Sequence, residues 1–246
     1  MHHHLLPRIL TRRVFFPLVP RAFPPPIHIS PPIHTFAISY KSSPVFSTST
    51  LPNMLTSSSA PLIWIDCEMT GLASHDVLLQ LACFVTTPTL ELLDQTGFET
   101  VIHRPQSTLD KMDEWCTRTH QSTGLTARVL ASKTTVEEAG AALLEYIQRF
   151  VPEKGVGLLA GNSVHADKVF LVREMPEVVE WMHYRLLDVS SVKEAARRWC
   201  GEDVLRGVPK KSGVHEARMD ILESIEEARY WKDVLFTPAK ALGQER

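Results

Sequence analysis

The stretch PLIWIDCEMTGL (residues 61–72) sets two carboxylates into a run otherwise suited to a protein interior. Ile63, Ile65, Cys67 and Met69 alternate with Trp64, Asp66, Glu68 and Thr70, and successive side chains of an extended chain point to opposite faces. The pattern predicts a strand with one apolar face and a second face on which Asp66 and Glu68 stand side by side. A lone D-x-E also has an ordinary explanation, because polar residues alternate along any strand buried on one side. Its meaning depends on the rest of the chain.

Two further strands are predicted after it, VLLQLACFVTT (residues 77–87) and LELLDQTGFETVIH (90–103), with a turn at 87–89, so the first three strands form an antiparallel meander. Residues 135–150 predict a helix. Thr135 and Glu138 make a capping box, and Val136, Ala139, Leu143, Ile147 and Phe150 form its apolar stripe. VGLLAG (156–161) reads as a short buried strand, NSVHADKVFLVREM (162–175) as a helix stopped by Pro176, and YRLLDVS (184–190) as a fifth strand. Helices follow at about 190–199 and 215–235. The order βββαβαβα implies an α/β domain with a mixed five-stranded sheet flanked by helices.

The chain has 246 residues, 44% of them hydrophobic, enough for one sizeable core. Its net charge of −2 hides a division. Residues 1–60 hold no acid, ten of the 17 prolines and a Ser/Thr-rich end, whereas from residue 66 onward 21 basic side chains face all 28 acids. An Arg- and Ser-rich, acid-free leader has the composition of a mitochondrial targeting segment, with a disordered tail as the plainer reading. Met54 offers an internal start and a cytoplasmic product. The expected organisation is a leader at 1–60, a folded domain at 61–238 and a short tail at 239–246. Cys67, Cys83, Cys116 and Cys200 lie far apart, without zinc-type spacing. No apolar run nears the roughly 20 residues that span a bilayer, so no membrane role is expected.

Candidate chemistry collects in three places: Asp66 and Glu68 on the first strand, Asp167 at the start of the helix after the fourth, and His215 with Asp220 opening the last helix. Each alone is weak, since an acid at a helix start also suits the helix dipole. Their joint occurrence in one α/β pattern is the stronger signal.

WIDCEMTGL, GNSVHADKVFL, HYRLLDVS, KEAARRW and HEARMDI, together with MDEWCTRTH, resemble the successive blocks of the oligoribonuclease family, DEDDh exonucleases of the ribonuclease H-like superfamily. The resemblance covers about residues 61–236. It implies a ribonuclease H-like fold and 3′-to-5′ hydrolysis of very short RNA, dinucleotides above all, to nucleoside monophosphates. By the same resemblance Asp66, Glu68, Asp167 and Asp220 bind metal and His215 is the general base. Leu72 and Trp115 pack against the two bases, and Ser163, Arg185 and Ser190 close around the terminal 5′ phosphate. Tyr184 reaches the other subunit's site in a homodimer. From the residues alone, Trp115 is equally a core aromatic and Arg185 an ion-pair partner.

The chemistry suits these residue types. Phosphodiester cleavage needs a nucleophile made from water and relief of growing negative charge, which two divalent cations about 4 Å apart supply. A carboxylate set without cysteine favours Mg²⁺ or Mn²⁺, and an imidazole can accept the proton of the attacking water. The acidic body shows no basic stripe for long nucleic acid, although PKK (209–211) could sit near the site. Two departures from the family pattern stand out. Gln80 and Met219 replace usual acids, and the loop after Leu72 is slightly shortened. They leave open two other readings, an exonuclease trimming longer RNA or DNA and an inactive RNA-binding dimer.

Overall fold

The computed structural model describes residues 59–236. Most of the leader, including Met54, and the tail at 239–246 lie outside the described residues. In chain order the elements are β1 (Leu62–Met69), β2 (Leu78–Thr86), β3 (Phe98–Val101), α1 (Gln106–Leu109), α2 (Glu114–Ser122), α3 (Leu125–Ala131), α4 (Val136–Phe150), β4 (Leu158–Gly161), α5 (His165–Glu174), α6 (Pro176–Trp181), β5 (His183–Asp188), α7 (Val189–Trp199), α8 (Glu202–Arg206) and α9 (Ala217–Trp231), continued by a wider helical turn, Lys232–Phe236. Among the described residues no helix is long and apolar enough to cross a membrane.

The sheet runs β3-β2-β1-β4-β5. β1–β2 and β2–β3 are antiparallel, the expected meander, while β1–β4 and β4–β5 are parallel, which makes the sheet mixed and puts β1 at its centre. A central strand is covered on both sides. Ile63, Ile65 and Cys67 enter one core with Leu143 and Ile147 of α4 and Phe170 and Leu171 of α5. Leu62 and Trp64 enter a second core with Ile221, Ile225 and Trp231 of α9. The face carrying both acids is therefore apolar at its start and turns polar only at Asp66, where the strand leaves the core. Trp64 is fully buried, and its indole N–H donates to Thr86 Oγ1 at 3.0 Å, so the polar end of the ring has a partner inside.

α4 forms as expected: Thr135 accepts from the Glu138 N–H, and the Glu138 carboxylate accepts from the Thr135 N–H. Four other expectations are corrected. The third strand is only Phe98–Val101: Leu92 still makes a lone antiparallel bridge to Thr86, but after it the chain turns, with Asp94 accepting the N–H groups of Thr96 and Gly97. Gly97 has a φ of 69°, and a Cβ there would lie 2.6 Å from the Phe84 ring, so the turn has no room for another residue. Leu90, read as strand, instead plugs the second core. Pro176 does not merely end a helix: it is the first residue of α6, where its missing N–H costs nothing. The last helix begins at Ala217, with Glu216 as its cap, which leaves His215 in the preceding loop. Finally, the helices α1–α3, α6 and α8 were not anticipated.

Candidate active site

β1 and β4 run paired only as far as Trp64↔Ala160. Beyond that point the edge of β1 is open, and the Cys67 N–H donates to Asp167 Oδ1 at 2.9 Å. This bond ties the first turn of α5 to the strand between the two acids. α9 brings the fourth carboxylate. Asp220 lies in its first turn on the stripe of Ala217, Ile221, Ser224, Ile225 and Ala228, the side of the helix that packs on the sheet. One carboxylate oxygen from each of Asp66, Glu68 and Asp220 falls within 4.8 Å of the others. Asp167 is buried beside them, and its charge acts on both Asp66 and Glu68.

Carboxylates crowded in a partly dry place resist ionisation. Burial, then the charges of Asp167, Glu68 and Asp220, hold the Asp66 carboxyl well above its ordinary range, against the pull of Lys211. Burial, with Asp220 and Asp167, pushes Glu68 up to about 8, opposed by Arg128. Burial raises Asp167 to about 7 although the Cys67 N–H favours its anion. Burial also raises Asp220, with His215 and Lys211 opposing. Such a donor set fits hard divalent cations, which would remove the mutual repulsion.

The shifts fix a pH dependence. Folded-state values above the unfolded ones mean that the folded chain binds more protons between about pH 4.5 and 8, so metal-free stability is highest below the unfolded pKa values and falls as pH rises through that window. Cations displace those protons. Thermal scans should therefore show a larger rise in Tm on adding Mn²⁺ at pH 8 than at pH 5; an equal rise at both would mean that the cluster does not hold the ion.

His215 sits in the loop before α9 with φ 56°, a left-handed conformation uncommon outside glycine, and meets the edge of Trp115 at a centroid distance of 5.3 Å. Trp115 is half exposed and Leu72 is 77% exposed, so neither is a core residue and the alternative reading of Trp115 falls. Ser163 Oγ donates to Ser190 Oγ at 3.1 Å, which joins the loop after β4 to the start of α7. Both backbone N–H groups are held by Asp188 Oδ1. Tyr184 and Arg185 are not brought to the acids. They lie in the exposed first half of the edge strand β5, with Tyr184 stacked on His183 and the Arg185 guanidinium over the Tyr184 ring.

Two residues near the site were absent from the candidate set. His120, fully buried at the end of α2, bonds through Nε2 to Met69 O at 2.9 Å, and its Nδ1 stands 3.9 Å from Glu68 Oε2. Burial lowers its pKa, which favours the neutral ring, and the carbonyl of Met69 as partner calls for the proton on Nε2. Lys211, of the PKK run, lowers both Asp66 and Asp220. Of the two departures, Gln80 faces Glu68 across the β1–β2 ladder and bonds Glu99 and Arg128. Met219 is 41% exposed.

Residues 63–228 match the RNase T family model, described as exonuclease. Exonuclease I of Methylocaldum szegediense superposes with a TM-score of 0.53 at 16% identity, over 72% of this chain and 41% of that one. A zinc-bound exonuclease I–ssDNA complex from E. coli gives 0.52 at 15% identity, over 71% and 41%. The chain thus spans about two fifths of those structures, and the likeness is one of fold. With the exonuclease family match, the mixed sheet and its acid cluster place the chain among the divalent-metal-dependent exonucleases. The curated relatives narrow this. The mitochondrial oligoribonuclease of Saccharomyces cerevisiae is 44% identical over 194 residues, covering 76% of this chain and 72% of the yeast protein. The oligoribonuclease of Vibrio parahaemolyticus is 45% identical over 177 residues, covering 71% and 95%. The chain belongs to the oligoribonuclease family.

Proposed function

We infer that this chain is a metal-dependent 3′-to-5′ exoribonuclease that hydrolyses short oligoribonucleotides, dinucleotides above all, to nucleoside monophosphates. The observation that carries the reading is the convergence of Asp66, Glu68 and Asp220, with Asp167 beside them, in a chain of this family. These four acids would hold two Mg²⁺ or Mn²⁺ ions. When bound, such ions offset the charge growing on the phosphate and make water a better nucleophile at neutral pH. His215 takes the proton of the attacking water. Leu72 and Trp115, both exposed, offer apolar surface to two bases without reading their identity. Ser163 and Ser190, with Arg185, receive the terminal 5′ phosphate.

Cleavage of an end-labelled diribonucleotide by the full chain tests this. We expect turnover with Mg²⁺ or Mn²⁺, none with chelator, and a kcat/KM at least about tenfold above that for a long strand, a difference of about 1.4 kcal/mol. Preference for the long strand would support a trimming exonuclease instead, and binding without turnover an inactive RNA-binding protein.

We also propose a homodimer in which Tyr184 works in the partner's site. Support comes from β5 being a sheet edge, Tyr184 being 74% exposed, and Trp199 being 81% exposed beside an apolar groove of Val192, Ala195, Ala196 and Phe236. A second copy of the chain is the occupant this reading assigns to that face. Tyr184→Ala and Asp66→Asn should each be inactive as homodimers. When co-expressed, they should regain activity, because one site of the mixed dimer then has its acids and the partner's tyrosine. No recovery would remove the trans role.

A mitochondrial location is proposed from the acid-free leader and agrees with the name of the yeast relative. A reporter fused to residues 1–60 that stays in the cytoplasm would overturn it.

A further inference from the structure

Glu227 is a charged side chain on α9, 1% exposed, with no part in the reaction as derived above. Its Oε1 lies 3.2 Å from Lys193 Nζ and 3.2 Å from the Trp231 indole nitrogen; its Oε2 lies 3.2 Å from Asn162 Nδ2 and 3.9 Å from Lys211 Nζ. A buried ion pair adds little to stability over well-packed apolar residues. Its value lies in what it holds in place.

What Glu227 holds is an amide. Asn162 Nδ2 donates to Glu227 and, at 2.9 Å, to Ser224 Oγ, whose own proton goes to Asp220 O at 2.7 Å. Ser224 is thus an acceptor toward Asn162, and both neighbours demand the NH₂ group. The amide has one orientation, with Oδ1 turned outward, where it accepts the Ser190 hydroxyl proton at 3.0 Å. Ser190 Oγ in turn accepts from Ser163 at 3.1 Å. A chain of hydrogen bonds therefore runs from a buried carboxylate to two hydroxyls at the C-terminal ends of β4 and β5.

We propose that Asn162 is the positioning residue of the terminal-phosphate subsite, anchored by Glu227, and that it sets how Ser190 and Ser163 meet a phosphate monoester. This rests on the reading of Ser163 and Ser190 as phosphate-binding. The Ser190 proton stays on Asn162, so Ser190 Oγ is fixed as the acceptor that holds the Ser163 hydroxyl, and the Ser163 proton is the one that turns from Ser190 to a phosphate oxygen on binding. Without the anchored amide neither hydroxyl is held, and that donor is no longer pre-placed.

The measurement is the ratio of kcat/KM for a dinucleotide carrying a 5′ phosphate to that for the same dinucleotide without it. General loss of structure, or a loosened Lys211 beside the acids, acts on both substrates and cancels in the ratio. Asn162→Ala and Glu227→Leu should each lower the ratio about tenfold, the size of one hydrogen bond to a charged group. In Glu227→Leu both lysines, each about a third exposed, turn to solvent. Because the residues act in series, the double variant should lose the same factor rather than the product. Ser190→Ala separates the two layers. If it keeps the wild-type ratio, or wild type shows none, the subsite reading and the proposal both fail. If Ser190→Ala loses the ratio while Asn162→Ala keeps it, the positioning role alone is overturned. If only Glu227→Leu keeps it, the anchoring by Glu227 is overturned.

Discussion

Asp66→Asn is expected to lower metal-dependent turnover of a diribonucleotide by about 10²- to 10³-fold, as removal of a group that holds transition-state charge does elsewhere. The same change should make the metal-free protein more stable at pH 8. Asp66 is pressed by burial and by three like charges, so its ionised form is costly in the folded chain and much less so in the unfolded one. The amide keeps the shape and removes the charge. Loss of activity with gain of metal-free stability separates a ligand from a structural acid, since removing a structural partner would destabilise. Single-turnover cleavage and thermal scans in chelator read both halves. Activity within tenfold of wild type would sink the assignment of the cluster.

Local pattern exposed the strands that alternate or run apolar, β1, β2 and the short β4, and also the capping box of α4, because each is dictated by side chains close in sequence. The meander and the acid-bearing face of β1 followed from the same periodicity. What pattern could not show was that β1 is central, since burial on both sides depends on the parallel pairing with β4, about 100 residues away. The helices between β3 and α4 were missed for a physical reason. EWCTRTHQS of α2 is mostly polar and gives no apolar stripe; it is fixed instead by the Asp113 cap and by the buried contact of His120 with Met69 O. For residues 90–97 the strand pattern held only at Leu92, which bridges Thr86; beyond it the chain is broken from the ladder by a turn that Asp94 and Gly97 build.

At the site, D-x-E and its partners were legible as residue types, and family resemblance supplied their roles. Their convergence needed the fold: Asp167 arrives because β4 separates from β1, and Asp220 because it extends the packing stripe of α9. His120 gave no signal in sequence, because a histidine in a polar helix shows no sign of its burial. Gln80 illustrates how a departure is absorbed. Opposite Glu68, its amide donates to Glu99 at 2.6 Å and accepts from Arg128 at 3.3 Å, and Arg128 is the cation that opposes the rise of Glu68. A glutamate there would add a like charge one strand away from a carboxyl already raised to about 8.

His215→Asn is expected to reduce turnover by about 10²- to 10⁴-fold, the range for a lost general base, while leaving the Mn²⁺-induced rise in Tm unchanged. Asparagine is the informative replacement because His215 holds φ 56°, and asparagine visits that region more readily than most residues, so the loop between Gly213 and α9 keeps its path. Alanine would mix chemistry with backbone strain. The two readouts part the roles that the site combines: a metal ligand lost would cut the thermal response, whereas a base lost would cut only the rate. His215 stands outside the carboxylate trio and against the exposed Trp115, on the side where a base-stacked substrate would lie. That placement suits a group acting on water beside the phosphate rather than on the ions. A rate within threefold of wild type would assign the proton transfer to another group. Loss of the Tm response would make His215 part of the metal site.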